Sequence, residues 1–178
     1  MPLSAYALYC TTVLVWGSTW LAIKFQLGAV DPLVSVIYRF GLASLLLFAG
    51  CVLARARLRL APREHAFIAL QGCCLFGLNY WLVYWAEVYL ASGIVAVVFA
   101  TMVFMNFFNA ALFLKRPLVP AVLAGGLVGM VGVALLFWPE LGSLGPGDAA
   151  WRGLLLALAA TYVASLGSIV ATRNAGFG

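Results

Sequence analysis

Six long apolar runs, separated by short polar breaks, are the feature that most constrains how this chain can fold. They cover residues 4–25, 32–53, 66–88, 92–114, 118–138 and 151–171. A helix needs about 20 apolar residues to cross the hydrocarbon core of a bilayer. Because lipid offers no hydrogen bonds, the backbone of each run must satisfy its own polar groups as a helix. The runs therefore predict an all-α membrane protein with six transmembrane helices.

The composition agrees with a membrane environment. Hydrophobic residues make up 66% of the chain and charged residues 8%, whereas about a quarter of the residues of a soluble domain are charged. The formal net charge is +5, but the basic residues stand in the breaks and form no basic-aromatic face that would bind nucleic acid. We therefore expect the lipid bilayer as a partner and no nucleic acid.

The distribution of basic residues predicts the orientation in the membrane. With the N-terminus in the cytoplasm, seven basic residues fall on the cytoplasmic side and two on the other. The seven are Arg55, Arg57, Arg59, Arg63, Lys115, Arg116 and Arg173. Cytoplasmic loops carry an excess of Lys and Arg. We therefore expect an integral protein of a bacterial cytoplasmic (inner) membrane with its N-terminus in the cytoplasm.

The side chains that enzymes and metal sites need are scarce. His65 is the single histidine and lies in an arginine-rich break, and the four cysteines lie in or beside apolar runs without a CxxC. A metal or a membrane-embedded active site needs several such groups close together. The phosphate-binding pattern GxxxxGK[ST] is absent as well. We expect no enzyme activity, no metal, no cofactor and no ATP-driven step.

The longest polar break divides the chain into two unequal parts. Residues 139–150 are rich in Gly and Pro and predict an extracytoplasmic linker. Five helices precede it, in residues 4–138, and one follows it, in residues 151–178. Because five is an odd number, a second copy of the unit would enter the membrane in the opposite direction, as in the inverted repeats of secondary transporters.

Four stretches carry a family resemblance. They are WGSTWLAIK at 16–24, DPLVSVIYRF at 31–40, ASGIVAVVFATM at 91–102 and GGLVGMVGV at 125–133. Their order and spacing resemble the EamA-type domain of the drug/metabolite transporter superfamily, over one five-helix repeat and the start of a second. The resemblance implies half of a ten-helix bundle of two inverted repeats, plus one helix. It also implies that helices one, three and four line a central cavity.

Polar and aromatic residues on those three helices are therefore candidates for the substrate cavity. Polar groups inside a membrane are costly, which makes them functional candidates. The candidates are Trp16, Ser18, Thr19, Trp20, Tyr80, Trp81, Tyr84, Met102, Asn106 and Asn109. The alternative for the aromatic residues is helix packing, and the alternative for the two asparagines is hydrogen bonding between helices.

Three charged residues stand in the outer half of the predicted membrane region. Lys24, Arg39 and Glu87 could form an outer-gate network that opens when substrate enters. The alternatives are a snorkelling or structural Arg39, and a Lys24 and Glu87 that are solvated at the membrane interface.

A stripe of small residues follows one face of helix five. Ala121, Gly125, Gly129 and Gly132 recur at intervals of three or four residues and include a GxxxG. Such a stripe predicts close helix packing, either within the repeat or at the seam of a homodimer.

These features together favour transport. We expect a secondary transporter that exports small metabolites or amphiphilic compounds by alternating access, with a small-molecule substrate as its second partner. The alternative is a truncated membrane module that does not transport, or a half-transporter that must dimerise.

Overall fold

The computed structural model describes residues 3–26, 30–56, 60–136, 138–139 and 148–176, and no strand is present among them. Its helices occupy the six predicted runs, and we number them in chain order. They are α1 Leu3–Gln26, α2 Pro32–Leu53, α3 Pro62–Tyr89, α4 Ser92–Leu114, α5 Pro120–Leu136 and α6 Asp148–Asn174. Two of them are irregular: α3 contains a π-helical segment, Cys73–Leu78, and α4 is interrupted at Thr101.

The prediction of an all-α membrane fold is confirmed. Among the described residues, α2, α3, α4 and α6 are long and apolar enough to cross a bilayer, and α5 is a shorter apolar helix. At about 1.5 Å per residue, the 24 residues of α1 are also long enough. That all six helices cross the membrane stays a prediction.

Helix boundaries differ from the predicted runs where polar residues form a helical turn. The third helix begins at Pro62 rather than at residue 66. Proline suits the first helical position because its missing N–H needs no partner there. The Glu64 carboxylate accepts a hydrogen bond from the backbone N–H of Ala61 at 2.6 Å, which closes that first turn. Apolar runs predict the part of a helix in lipid and omit such a polar turn.

The core of the bundle is formed by α3, α4 and α6. Its fully buried side chains include Val83 and Tyr84 on α3 and Val95 on α4. Small residues of α6 face them: a Cβ atom added at Gly153 would lie 2.6 Å from Leu90 Cγ. The helix predicted to open a second unit therefore packs directly on the five-helix unit.

The division of the chain into units stays a prediction. Most of the predicted linker, residues 140–147, lies outside the described residues.

The outer helices expose apolar side chains. On α1, Leu14 is 72% exposed, and on α2, Leu47 is equally exposed, whereas Thr19 and Val36 on the same helices are buried. Lipid is the solvent that suits such surfaces, because apolar side chains there cost nothing to expose.

The small-residue stripe of α5 lies open in this structure. A Cβ atom added at Gly125, Gly129 or Gly132 would meet no atom within 4 Å among the described residues, and Ala121 is exposed. The glycine that contacts α4 is Gly126, where an added Cβ would lie 3.1 Å from Val103 Cγ1. The predicted stripe thus does not pack within the described part of the chain, and its role as a seam with a second copy stays a prediction.

Candidate functional site

A cavity of about 350 Å³ lies between α1, α3, α4 and α6. Its walls are mainly aromatic and aliphatic, with three polar side chains among them. The lining residues are Trp16, Leu75, Phe76, Tyr80, Val83, Phe99, Met102, Ala164, Thr19, Asn79 and Ser168. On α1, α3 and α4 these residues fall near the middle of the helix, whereas on α6 they lie in its second half, so the cavity lies near mid-depth of the bundle. Its size falls at the lower end of the range for small-molecule sites, about 300–1,000 Å³.

The third helix departs from α-helical geometry where it borders the cavity. The segment Cys73–Leu78 is π-helical, and it contributes Leu75 and Phe76 to the cavity wall. A π-helical turn is wider than an α-helical one, with backbone bonds spanning five residues, and it is frequent at functional sites. The Leu75 carbonyl accepts a hydrogen bond from Asn79 Nδ2 at 3.2 Å. The irregular turn thereby holds the Asn79 amide at the cavity.

The fourth helix is interrupted at the same level. The Thr101 hydroxyl donates to the Val98 carbonyl at 2.6 Å, and the Thr101 backbone N–H donates to that carbonyl at 3.0 Å. A bond to the third preceding residue tightens the turn, and a threonine hydroxyl bonded back to the helix often bends it. Phe99 and Met102, on either side of this turn, both line the cavity.

The polar groups of the cavity offer hydrogen-bond acceptors. The Thr19 hydroxyl donates to the Val15 carbonyl at 3.0 Å, and the Ser168 hydroxyl donates to the Ala164 carbonyl at 3.0 Å. Both hydroxyl protons are therefore used within their own helices. The buried Oδ1 of Asn79 has no hydrogen-bond partner among the described residues. A buried acceptor without a partner costs free energy, and a ligand that donates a hydrogen bond would remove that cost when the Asn79 amide turns its oxygen toward the cavity.

Arg39 joins three helices at the edge of the cavity. From α2 it donates a hydrogen bond to the Thr19 hydroxyl at 3.4 Å, and its guanidinium lies 4.9 Å from the centre of the Tyr80 ring and 5.4 Å from that of Phe40. The rings of Phe40 and Tyr80 themselves meet edge to face at 4.7 Å. Arg39 is half-buried, so its contacts fix the relative positions of two cavity residues, Thr19 and Tyr80.

The structure brings four of the cavity candidates together and distributes the others elsewhere. Trp16, Thr19, Tyr80 and Met102 line the cavity. Tyr84 is fully buried in the core between helices. These placements describe geometry, and a role in binding stays a prediction for each residue.

Two further candidates lie on outer surfaces. Trp81 is 36% exposed on another face of α3, as suits an aromatic residue that faces lipid. Ser18 is exposed, and its hydroxyl donates to the Val15 carbonyl at 3.0 Å. The Trp20 side chain lies outside the described part of the structure.

The two asparagines of α4 have different surroundings. Asn109 is buried and donates through Nδ2 to the Ser165 hydroxyl of α6 at 2.8 Å, which is the interhelical hydrogen bond weighed as its alternative role. Asn106 is half-buried, and its Oδ1 has no hydrogen-bond partner among the described residues. Neither residue lines the cavity.

The predicted outer-gate network stays a prediction. Glu87 is 3% exposed, so the interpretation of this carboxylate as solvated at the interface is wrong: it is enclosed by the helices around it. Arg39 contacts Thr19 and two aromatic rings. The Lys24 side chain lies outside the described residues.

Seven of the eleven cavity residues were not among the candidates taken from the sequence, and four of them are instructive. Phe76 lies four residues before Tyr80, so helical spacing could have placed it on the same face. Phe99 and Asn79 adjoin irregular turns that an apolar run does not reveal. Ser168 belongs to α6, which was assigned to another unit. In the described part of the chain, no group of three His, Cys, Asp or Glu residues could hold a metal ion.

Comparison with known proteins identifies relatives of the chain. The EamA-like transporter family matches residues 3–138. A Salmonella typhimurium protein called PagO is 23% identical over 156 residues, which is 88% of this chain and 51% of that protein. An uncharacterized transporter of Archaeoglobus fulgidus is 24% identical over 157 residues, which is 87% of this chain and 52% of that protein. The chain thus spans about half the length of these curated relatives. No solved structure matches it significantly.

Proposed function

Because this chain belongs to the EamA-like transporter family, we propose that it exports small amphiphilic molecules across a bacterial inner membrane by alternating access. The observation that carries this proposal is the cavity near mid-depth, with aromatic walls and an unused acceptor at Asn79 Oδ1. Secondary transporters bind their substrates near the bilayer midplane, at discontinuous helices. The irregular turns of α3 and α4 border this cavity on two sides.

The cavity walls favour an apolar or aromatic body with one hydrogen-bond donor. Trp16, Phe76 and Phe99 supply aromatic surface, and Met102 adds an adaptable thioether. The donor of the substrate would meet Asn79 Oδ1 after this enclosed oxygen turns toward the cavity. Because Arg39 lies 4.9 Å from the Tyr80 ring, a neutral or anionic substrate suits this edge of the cavity better than a cation.

The irregular turns support a conformational cycle. An interruption in the backbone hydrogen-bond ladder is a common site of helix bending. Bending of α3 at Cys73–Leu78 and of α4 at Thr101 would change access to the cavity from one side of the membrane to the other. The cytoplasmic N-terminus is proposed from the distribution of basic residues, and export is the direction that the transport experiment below tests.

A complete transport unit contains more than the helices described. The chain spans about half the length of its curated relatives, and α1, α2 and α5 present apolar surface outward. Further helices or a second copy of the chain would complete the cavity on the side of α1. The open small-residue stripe of α5 favours the second candidate function, a half-transporter that acts as a homodimer.

Ligand binding to the purified protein tests the site directly. Trp16 lies at the cavity, so its fluorescence should change when aromatic alcohols or amides are titrated into the protein in detergent. Asn79→Leu should weaken binding about tenfold, because it removes one buried hydrogen bond.

The control for this titration is Ser44→Ala. Ser44 lies on α2, does not line the cavity, and is exposed with its hydroxyl bonded to the Gly41 carbonyl of its own helix, so this variant should bind as the wild type does. Equal affinities of the wild type and Asn79→Leu would contradict the proposed site. Transport of the bound compounds by proteoliposomes, against an imposed gradient, would then establish direction.

A further inference from the structure

A second cavity lies on another side of the bundle. It has a volume of about 370 Å³ and lies between α3, α4 and α6, and it shares no lining residue with the first. Leu70, Phe113, Ile169 and Val170 contribute to its apolar wall, and Arg173 is its charged lining residue. Leu70 and Phe113 are both exposed, so the cavity opens as a groove on the outer surface of the bundle, where lipid chains would contact it.

Arg173 lies at one end of this groove, near the end of α6. Its guanidinium lies over the Phe67 ring at 3.6 Å from the ring centre. The next residue, Asn174, donates through Nδ2 to Gln71 Oε1 at 2.7 Å and to the Phe67 carbonyl at 3.2 Å. These contacts hold the end of α6 against the start of α3. A guanidinium stacked by its face presents its N–H groups at its edges, in the fork that binds a phosphate group.

Further positive charge surrounds the same end of the bundle. Leu114 lines the groove, and Lys115 and Arg116 follow it directly. Arg63 lies one helical turn before Phe67 on α3. Of the described residues at this end, Glu64 is acidic, and its carboxylate is engaged with the backbone of Ala61. The mouth of the groove is therefore strongly basic.

We propose that this groove binds one anionic phospholipid. The acyl chain would lie against the apolar wall of α4 and α6, and the phosphate would contact Arg173, with Lys115 within the same basic rim. Basic pockets between helices at the cytoplasmic side of a membrane are suited to anionic lipid headgroups. The charge of the rim selects an anionic headgroup over a zwitterionic one, and the apolar groove selects a lipid over free phosphate. This site is independent of the proposed substrate cavity.

Lipid retention measured by native mass spectrometry tests the proposal. The protein is purified in detergent, supplied with equal amounts of phosphatidylglycerol and phosphatidylcholine, and washed with detergent in steps. The wild type should keep one phosphatidylglycerol. Arg173→Gln should lower the retention about tenfold, which corresponds to the loss of one charge-assisted hydrogen bond. Arg152→Gln is the matched control, because Arg152 is exposed at the opposite end of the same helix.

Two more variants separate charge, groove and folding. Arg173→Lys keeps the charge without the planar fork and should retain an intermediate amount of lipid. Ile169→Trp leaves the charge in place, fills the groove and should lose the lipid. Each variant is compared after size-exclusion chromatography as a single folded species. Equal retention of the two lipids by the wild type, or wild-type retention by Arg173→Gln or Ile169→Trp, would overturn the proposal.

Discussion

The contact between α6 and α3 at Gly167 allows a quantitative prediction. An added Cβ atom at this position would lie 2.7 Å from Leu75 Cγ and 3.0 Å from Cys74 Cβ. Carbon atoms in optimal contact are about 3.5–4.0 Å apart, so Gly167→Ala requires a displacement of about 1 Å. Rotation of the Leu75 side chain could move its Cγ, but Cys74 Cβ is bonded directly to the backbone and cannot rotate away. Overpacking of this kind costs about 1–3 kcal/mol.

The control for this variant is the same substitution at an open position. Gly125 lies in α5 with nothing within 4 Å of an added Cβ among the described residues. Gly→Ala favours a helix by about 1 kcal/mol at either position. This contribution cancels when the two variants are compared as monomers, in which the α5 stripe meets no second copy, so the difference between them isolates the contact. We expect Gly167→Ala to be less stable than Gly125→Ala by about 1–3 kcal/mol.

Unfolding in mixed detergent and denaturant micelles measures this difference. Leu75 also lines the first cavity, so its displacement in Gly167→Ala should weaken ligand binding measured by Trp16 fluorescence. Gly125→Ala should leave the affinity unchanged. Equal stabilities of the two variants, or a more stable Gly167→Ala, would refute the close packing of α6 on α3.

Three further predictions concern single contacts and orientation. Asn109→Leu should lower the unfolding free energy by about 1 kcal/mol in the same assay, because it removes the buried hydrogen bond to Ser165; an unchanged stability would contradict that bond. Arg39→Lys keeps the charge but loses the planar guanidinium that lies over the Tyr80 ring. Thermal unfolding should show that the free energy of unfolding falls by about 0.5–1 kcal/mol; an unchanged free energy would contradict a stabilising contact. Cysteines introduced at Arg63 and Asp31, in a variant without the native cysteines, should react with a membrane-impermeant maleimide from the cytoplasmic and the outer side respectively; the reverse pattern would contradict the cytoplasmic N-terminus.

The positions of the helices could be predicted because a helix in a membrane must be apolar over a continuous run of the sequence. Each apolar run must satisfy its own backbone, so its length and position determine a helix. The same logic also explains the errors at helix ends. The turn that begins at Pro62 is polar and carries its own cap from Glu64, so hydropathy alone leaves it out.

The cavity could be predicted less completely, because its irregular turns have no periodic signal. Around Cys73–Leu78 nearly every residue is apolar, so a change from α to π geometry alters no polar pattern. Thr101 was a possible signal, since a hydroxyl inside an apolar helix tends to bond back to the backbone. Ser168 was missed for a different reason: its position at the cavity depends on the packing of α6 against α3, which is a long-range contact.

Two stripes of small residues in this chain show why residue size alone does not locate a helix interface. The stripe of α5 is open, whereas the stripe of α6 is buried against α3 and α4; it consists of Gly153, Ala157, Ala160 and Ala164. The α6 stripe differs because polar side chains accompany it. Thr161 and Ser165 are fully buried, and Ser165 accepts the hydrogen bond of Asn109.

A hydroxyl in a membrane helix is stabilised by a hydrogen-bond partner enclosed between helices. A face of glycines alone needs no such partner and can also face lipid. Small and polar residues that share one face therefore predict an interface more strongly than small residues do. By this argument, a partner that covers the α5 stripe must contribute close backbone packing rather than hydrogen bonds, because Gly125, Gly129 and Gly132 offer it no side-chain donor.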